Sequence, residues 1–189
     1  MPELFIIAGC NGAGKTTAAY TLLPEVFQTI EFMNADEIAR VINKNDVESA
    51  AIAAARIMLN RIDSLIEHKQ SFAFETTLSG LTYLKIIEKA KLNGFVVTLF
   101  FVNLENAQMA FERVSIRVKK GGHDIPQDVI KRRFKKGIGN FPKYAAVVQN
   151  WYLFDNSGNE YQIIAKSING IKEILNFTVY NEIIENESC

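Results

Sequence analysis

The chain has 189 residues, of which 48% are hydrophobic and 22% are charged, and this composition is typical of a soluble globular protein. Lysine plus arginine and aspartate plus glutamate both total 21, so the formal net charge is zero, which argues against a protein that coats nucleic acid. The sequence has two cysteines, no basic leader and no apolar run long enough to span a bilayer, so we expect a cytoplasmic protein without membrane insertion.

Apolar runs alternate with amphipathic stretches from one end of the chain to the other. Strands are predicted at residues 4–8, 30–34, 72–76, 95–102, 151–154 and 161–165, and helices at 15–23, 47–69, 81–92, 105–119, 126–149 and 170–184. The alternation predicts a single α/β domain over residues 1–189, with a parallel sheet covered by helices on both faces. Ligands of such sheets bind beyond the carboxyl ends of the strands, so residues that directly follow strands are candidates for a functional site.

The segment that follows the first strand, GCNGAGKT at residues 9–16, matches the phosphate-binding pattern G-x-x-x-x-G-K-[ST] in full. Its glycines let backbone N–H groups turn toward a phosphate, and the next helix adds the positive end of its dipole. Lys15 is expected to contact the β- and γ-phosphates, and the hydroxyl of Thr16 to ligate Mg²⁺. The pattern therefore predicts a P-loop NTPase fold whose nucleotide contacts include Gly9, Asn11, Gly12, Ala13, Gly14, Lys15, Thr16 and Thr17.

Two carboxylates also follow predicted strands. Asp36 lies across the cleft from the phosphate loop, where it can orient an acceptor hydroxyl and accept its proton, although aspartate is equally suited to cap the next helix. Glu75 ends a buried strand, and we expect it to meet Mg²⁺-bound water, Lys15 or a substrate hydroxyl; a buried salt bridge without a ligand is the alternative. Thr76 and Thr77 come next and are candidate hydroxyl contacts to substrate.

Residues 113–136 predict a helical lid. They carry nine lysines and arginines against two aspartates, and Gly121-Gly122 interrupts the helical pattern. Arg113 and Arg117 lie one helical turn apart, so both can face the cleft and neutralise phosphoryl charge. For the lysines, a solvated basic surface is the simpler interpretation. A grip on a nucleic-acid backbone is a third interpretation, but the stretch has no interleaved aromatic residues for stacking.

The ordered set of motifs resembles the zeta toxin family over about residues 4–160. The resemblance rests on the P-loop, the N-A-D turn at 34–36, the F-E-T-T strand end at 74–77 and a flap that contains Arg117, the G-G-H-D-I-P segment at 121–126 and Arg132-Arg133. It implies a P-loop kinase that uses ATP and Mg²⁺. Zeta toxins phosphorylate the 3′-hydroxyl of UDP-N-acetylglucosamine, and an antitoxin typically occludes their ATP site.

The resemblance also implies roles for individual residues. Lys15 and Thr16 would hold the phosphates and the metal, and Asp36 would be the catalytic base. Glu75 and Thr77 would contact substrate or metal. Arg117 and one of the pair Arg132 and Arg133 would clamp the ATP phosphates. The catalytic set is then Lys15, Asp36, Arg117 and Arg133, and Arg132 is a further nucleotide contact. Thr16 and Glu75 are the expected metal ligands. The expected substrate contacts are Asp36, Glu75, Thr76 and Thr77.

Three functions are consistent with these observations. The first is a small-molecule kinase that transfers the γ-phosphoryl group of ATP to a hydroxyl, with UDP-N-acetylglucosamine as an acceptor and an antitoxin protein as a partner that the resemblance suggests. The second is a nucleotide-dependent ATPase or switch that acts through a protein partner. The third is a nucleic-acid end kinase, against which the zero net charge and the missing aromatic platform both count.

Overall fold

The structure of the chain is a computed structural model that describes residues 1–22, 24, 30–44 and 46–185. The strands of this part of the chain are β1 Glu3–Ala8, β2 Glu31–Asn34, β3 Phe72–Thr76, β4 Val96–Asn103, β5 Asn150–Asp155, β6 Gln162–Ile168 and β7 Ile171–Ile174. Its helices are α1 Lys15–Leu22, α2 Ala35–Ile42, α3 Ala51–Glu67, α4 Thr82–Leu92, α5 Ala107–Lys119, α6 Gln127–Ala145 and α7 Phe177–Glu185.

The strands form one sheet in the order β2-β3-β1-β4-β5-β6-β7. The first five strands pair in parallel, so the carboxyl ends of β1, β2 and β3 lie at the same edge and bring the phosphate loop, Asp36 and Glu75 together. The predicted α/β class and P-loop fold are confirmed. The parallel arrangement stops at β5, because the connection to β6 is too short for a helical crossover and the last two strands return antiparallel.

Helices cover both faces of the sheet, as predicted. On one face, α3, α4, α6 and α7 bury residues such as Leu65, Ile87 and Phe141 in the largest core cluster. On the other face, α1 packs Ala19 against Phe100. None of the described helices combines the length and the apolar character that crossing a membrane requires.

Two of the predicted helices begin later in the structure than in the sequence pattern. Residues 47–50 form a turn and α3 begins at Ala51, because the Asp46 side chain accepts a hydrogen bond from the Ser49 N–H at 3.1 Å and closes that turn. Residues 170–176 were predicted as helix, but β7 occupies most of them. Asn169 and Gly170 both have positive φ (50° and 82°), which makes the tight hairpin that joins β6 to β7. Leu23, the predicted end of the first helix, lies outside the described residues.

The predicted lid at 113–136 corresponds to the end of α5, the loop at 120–126 and the first half of α6. Its inner side is anchored, because Ile125 and Ile130 are buried in one cluster with Cys10 and Ala13 of the phosphate loop. The glycine break is needed for close packing: a Cβ at Gly122 would lie 2.6 Å from Arg117 Cγ and 2.9 Å from its carbonyl oxygen.

Candidate active site

The phosphate loop is held between β1, α5 and the segment after β5. Gly12 and Gly14 have φ values of 82° and 87°, in the region that favours glycine. A Cβ at Gly12 would lie 2.6 Å from the Ala110 carbonyl oxygen, and one at Gly14 would lie 2.7 Å from the Tyr161 hydroxyl. These positions therefore require glycine for both conformation and space.

Lys15, Thr16 and Glu75 meet where β3 ends and α1 begins. The Lys15 side chain is only 6% exposed; its Nζ donates a hydrogen bond to the Cys10 carbonyl oxygen at 3.0 Å and lies 3.4 Å from Glu75 Oε1. The Thr16 hydroxyl donates to Glu75 Oε2 at 2.6 Å. Of the partners expected for Glu75 from the sequence, the structure shows Lys15. The ion pair compensates for the cost of burying the Glu75 side chain, which is 11% exposed.

The Thr16 hydroxyl and the Glu75 carboxylate suit a magnesium ion. Mg²⁺ prefers oxygen ligands and, beside a nucleotide, needs only one or two protein ligands, because phosphate and water oxygens complete its octahedron. The described residues contain no cluster of three or more His, Cys, Asp or Glu side chains able to hold a metal.

Asp36 lies in the first turn of α2 with its side chain at the cleft. The N-cap of this helix is Asn34, whose Oδ1 accepts a hydrogen bond from the Asp36 backbone N–H at 2.8 Å. The interpretation of Asp36 as the N-cap is therefore wrong. Because Asn34 satisfies the helix end, the Asp36 carboxylate is available to the cleft, and Asp36 lines three adjoining cavities.

Two of these cavities form the cleft. The larger, about 360 Å³, lies between the phosphate loop and Asp36 and is bounded by Arg113, Arg117 and His123. A second cavity of about 150 Å³ extends from Asp36 and Glu75 to a further group of side chains, Thr76, Thr77, Tyr83 and Arg133. The carboxylate of Asp36 thus lies at the junction of the space beside the phosphate loop and a smaller space lined by hydroxyl groups.

The arginines of the lid are not equivalent. Arg133 Nη1 donates to Asn11 Oδ1 of the phosphate loop at 3.1 Å, and Arg117 Nη2 donates to the His123 carbonyl oxygen at 3.0 Å. Arg133 and Arg117 both line the cleft, whereas Arg132, one residue away on α6, is exposed and lines neither cleft cavity. Helical periodicity separates the two neighbours by about 100°, so only one of them can face the phosphate loop.

Thr76 and Thr77 help to hold the loop after β3. The Thr76 hydroxyl accepts a hydrogen bond from the Leu78 N–H at 3.1 Å and is also hydrogen-bonded to the Tyr83 hydroxyl. Burial raises the pKa of the Tyr83 hydroxyl, and this hydrogen bond partly opposes the shift. The Thr77 and Ser79 hydroxyls lie 2.9 Å apart. Both threonines line the smaller cavity and also stabilise its wall.

Three further residues contribute to the site, and the sequence had assigned a role to none of them. Asn156 Nδ2 donates to the Ala13 carbonyl oxygen at 2.9 Å, and the Tyr161 hydroxyl donates to the Gly14 carbonyl oxygen at 2.8 Å, so both hold the phosphate loop from the far side. Arg40 lines the larger cavity from α2. Its spacing of four residues from Asp36 was the signal that could have placed it on the same helix face.

The fold and the cleft define a P-loop kinase-type protein. The sequence model of the zeta toxin family matches residues 1–162. The chain therefore belongs to the zeta toxin family.

Individual proteins and solved structures are also similar to this chain. An uncharacterized protein of Haemophilus influenzae is 32% identical over 126 residues, which cover 67% of this chain and 88% of that protein. The structure is similar to a chain of the AvrRxo1-ORF1:AvrRxo1-ORF2 complex solved with ATP, with a TM-score of 0.76 and 20% identity. The match covers 99% of this chain but 64% of that one, so this chain spans less than two thirds of its length. It is also similar to a chain of the PezAT toxin–antitoxin system of Streptococcus pneumoniae, with a TM-score of 0.73 and 16% identity over 98% of this chain and 79% of that chain.

Proposed function

We propose that this chain is a cytoplasmic, ATP-dependent small-molecule kinase that transfers the γ-phosphoryl group to an acceptor hydroxyl, and that UDP-N-acetylglucosamine is the acceptor to test first. The position of Asp36 carries the proposal. A carboxylate lies opposite Lys15 across a cavity of about 360 Å³, and the smaller cavity extends from that same carboxylate.

The phosphate-loop side would bind and orient the triphosphate. Backbone N–H groups of the loop and the ammonium group of Lys15 supply the positive charge that the β- and γ-phosphates require. Arg117 and Arg133 reach the cleft from the lid and would stabilise charge on the phosphoryl group during transfer. A magnesium ion held beside Thr16 and Glu75 would supply further charge neutralisation at the phosphate oxygens when bound.

The Asp36 side would orient the acceptor. A hydroxyl placed in the smaller cavity can donate a hydrogen bond to the Asp36 carboxylate, which then accepts its proton late in the transfer. Thr76, Thr77 and Arg133 line the rest of that cavity and offer hydroxyl and guanidinium groups to a polar acceptor. This arrangement favours a hydroxylated small molecule over water alone as the phosphoryl acceptor.

The direct test is a transfer assay with γ-labelled ATP, Mg²⁺ and UDP-N-acetylglucosamine. We expect a phosphorylated sugar nucleotide that is absent with Lys15→Ala and with Asp36→Asn. Glu88→Gln, an exposed charge change on α4, is the matched control and should leave the product unchanged. Full turnover by Asp36→Asn would refute the assigned base, and product from no acceptor in a wider screen of hydroxylated metabolites would refute the kinase.

The other two functions give different results in the same experiment. A nucleotide-dependent switch would hydrolyse ATP at a rate that no added metabolite stimulates and that Asp36→Asn leaves unchanged. A nucleic-acid end kinase would phosphorylate oligonucleotides, with binding that weakens steeply as the salt concentration rises.

We also propose that a protein partner covers the mouth of the cleft. Among the similar structures, PezAT is a toxin–antitoxin system, and AvrRxo1-ORF1 and AvrRxo1-ORF2 form a complex. In this chain the mouth is lined by Arg40, Arg113, Arg117 and Lys120, a basic surface that suits an acidic partner segment. If the chain is a toxin, its expression alone should arrest bacterial growth, and Lys15→Ala and Asp36→Asn should both abolish the arrest at equal protein levels.

A further inference from the structure

The third of the cavities that Asp36 lines measures about 70 Å³ and adjoins the two that form the cleft. Asp36 and His123 line both this third cavity and the larger cleft cavity. Asp36 and Arg133 line both the third cavity and the smaller cleft cavity. A molecule in the cleft with a hydroxyl at the Asp36 carboxylate therefore lies directly beside the third cavity. The groups proposed above for ATP, magnesium and the acceptor hydroxyl do not account for this space.

The walls of the third cavity are mainly aliphatic. Ala39 and Val47, from α2 and the turn before α3, are buried together in one hydrophobic cluster. Ile125, from the lid loop, is buried in a different cluster, and Pro126 and Val129 extend the wall on the lid side. The cavity thus lies at the seam between two apolar clusters. A nonpolar group placed there gains van der Waals contacts with both of them.

The ionisable side chains of the lining lie at its margins. Asp36, His123 and Arg133 are on the side of the cleft, because each of them also lines a cleft cavity. Glu48 and Asp124 are exposed to solvent. A charged group in the middle of the cavity would give up water for mainly aliphatic walls, which is costly. The cavity therefore favours an uncharged, nonpolar group.

Size and position together define this group. A space of about 70 Å³ holds only a few non-hydrogen atoms. We propose that the third cavity binds a short alkyl or acyl group of the acceptor, carried on the carbon atom next to the hydroxyl that donates to Asp36. This inference rests on the proposed kinase function and specifies its acceptor class. Ala39 and Val129, on opposite walls, determine how long a group the enzyme accepts.

The first test compares acceptors that differ next to the reacting hydroxyl. Transfer from γ-labelled ATP is measured with UDP-N-acetylglucosamine and with UDP-glucose, which has a hydroxyl in place of the acetamido group. We expect kcat/KM to be roughly tenfold or more higher for the acetylated acceptor, since one small nonpolar group in a fitting pocket changes this constant by about 10–200-fold. Val129→Leu narrows the cavity and should bring the ratio of the two constants toward one.

Val118→Leu is the matched control. Val118 and Val129 are both partly buried against the same hydrophobic cluster, but Val118 does not line the cavity. Its substitution should leave the ratio of the two kcat/KM values unchanged.

Xenon supplies a second measurement that does not depend on turnover, because this nonpolar atom occupies apolar cavities in proteins. In methyl NMR spectra of the nucleotide-free protein, xenon should shift the signals of Ala39 and Val129. Absence of these shifts would overturn the proposal and leave water as the occupant of the cavity.

The two measurements separate the subsite from the kinase. Equal kcat/KM for the two acceptors, transfer only to acceptors that lack the alkyl or acyl group, or an unchanged ratio in Val129→Leu would overturn the subsite and leave the kinase intact. Transfer to no hydroxylated acceptor, with the xenon shifts present, would refute the kinase and with it the acceptor role of this cavity.

Discussion

The two sides of the active-site cleft face each other across one cavity but are built differently. On the phosphate-loop side, Lys15 is buried against Glu75, and Gly12 leaves no room for a Cβ. On the acceptor side, α2 is a helix of eight residues with a half-buried Asp36 and an exposed Arg40. Substitutions on the first side should therefore change folding, binding and turnover together, whereas substitutions on the second should change turnover with little effect on stability.

Lys15→Ala should have the largest effect. It removes the cation from the phosphate site, and we expect transfer to fall by about 10³-fold and ATP binding to weaken. It also leaves Glu75 without its buried partner, which should lower the free energy of unfolding by about 1–3 kcal/mol. Single-turnover transfer, ATP titration and urea unfolding measure the three quantities. Lys85→Ala, an exposed lysine on α4, is the control, and wild-type ATP binding by Lys15→Ala would contradict the role of Lys15.

Asp36→Asn should separate catalysis from stability. We expect transfer to fall by about 10²–10³-fold, because the amide can still accept a hydrogen bond but cannot take the acceptor proton at neutral pH. ATP affinity and the free energy of unfolding should change by less than about 0.5 kcal/mol, because the helix cap is made by Asn34. The comparison between the two sides fails if Asp36→Asn unfolds the protein as readily as Lys15→Ala does.

Gly12→Ala should test how tightly the phosphate loop is packed. The added Cβ meets the Ala110 carbonyl at a residue with positive φ, so we expect a loss of about 1–3 kcal/mol in the free energy of unfolding together with weaker ATP binding. Gly139→Ala is the matched control: apart from the neighbouring backbone of its own helix, no described atom lies within 4 Å of the added Cβ, and in a helix interior this substitution should raise the free energy of unfolding by up to about 1 kcal/mol. Equal effects of the two substitutions in urea unfolding would show that the loop can relax.

Arg133→Ala and Arg132→Ala compare neighbours on α6. Arg133 contacts Asn11 and lines the cleft, so its removal should slow transfer by roughly tenfold or more without a matching change in stability. Arg132 is exposed, and its removal should have no measurable effect on transfer. A greater loss with Arg132→Ala would mean that the lid rearranges when ATP binds.

The parts of the site that local sequence determines were predictable. A phosphate loop needs its glycines and Lys15 in consecutive positions, and the parallel sheet places Asp36 and Glu75 at one edge because each directly follows a strand. The identity of these residues, and the sheet edge at which they meet, could therefore be predicted from their spacing in the sequence alone. Sequence spacing did not show which of Arg132 and Arg133 faces the loop, because this depends on the rotation of α6 about its axis. The packing of Ile130 and Phe141 determines that rotation.

The remaining parts depend on contacts between residues far apart in sequence. Asn156 follows β5 directly, but Asn156 and Tyr161 hold the phosphate loop through bonds to residues more than 140 positions away, and no local pattern indicates those bonds. The Asn169-Gly170 turn was not predicted, and the short β7 that follows it is mostly exposed, so the helix pattern downstream was extended over it. Capping by Asp36 stayed open as an alternative because the sequence did not show that Asn34, two residues earlier, makes the cap.

Cys10 gives the smallest expected effect and concerns the interior of the phosphate loop. Burial raises the pKa of its thiol from 9.0 to about 11, so the folded protein holds the proton more tightly than the unfolded chain. This contribution to stability is fully present below pH 9 and is lost as the pH rises from 9 through about 11. Relative to Cys10→Ala, the wild-type protein should therefore lose unfolding free energy as the pH rises over that interval. In a second measurement, iodoacetamide at pH 8 should label the Cys10 peptide far more slowly in native protein than in urea. Equal labelling rates would show that the loop opens on the time scale of the reaction and that the phosphate-loop side is less rigid than its packing indicates.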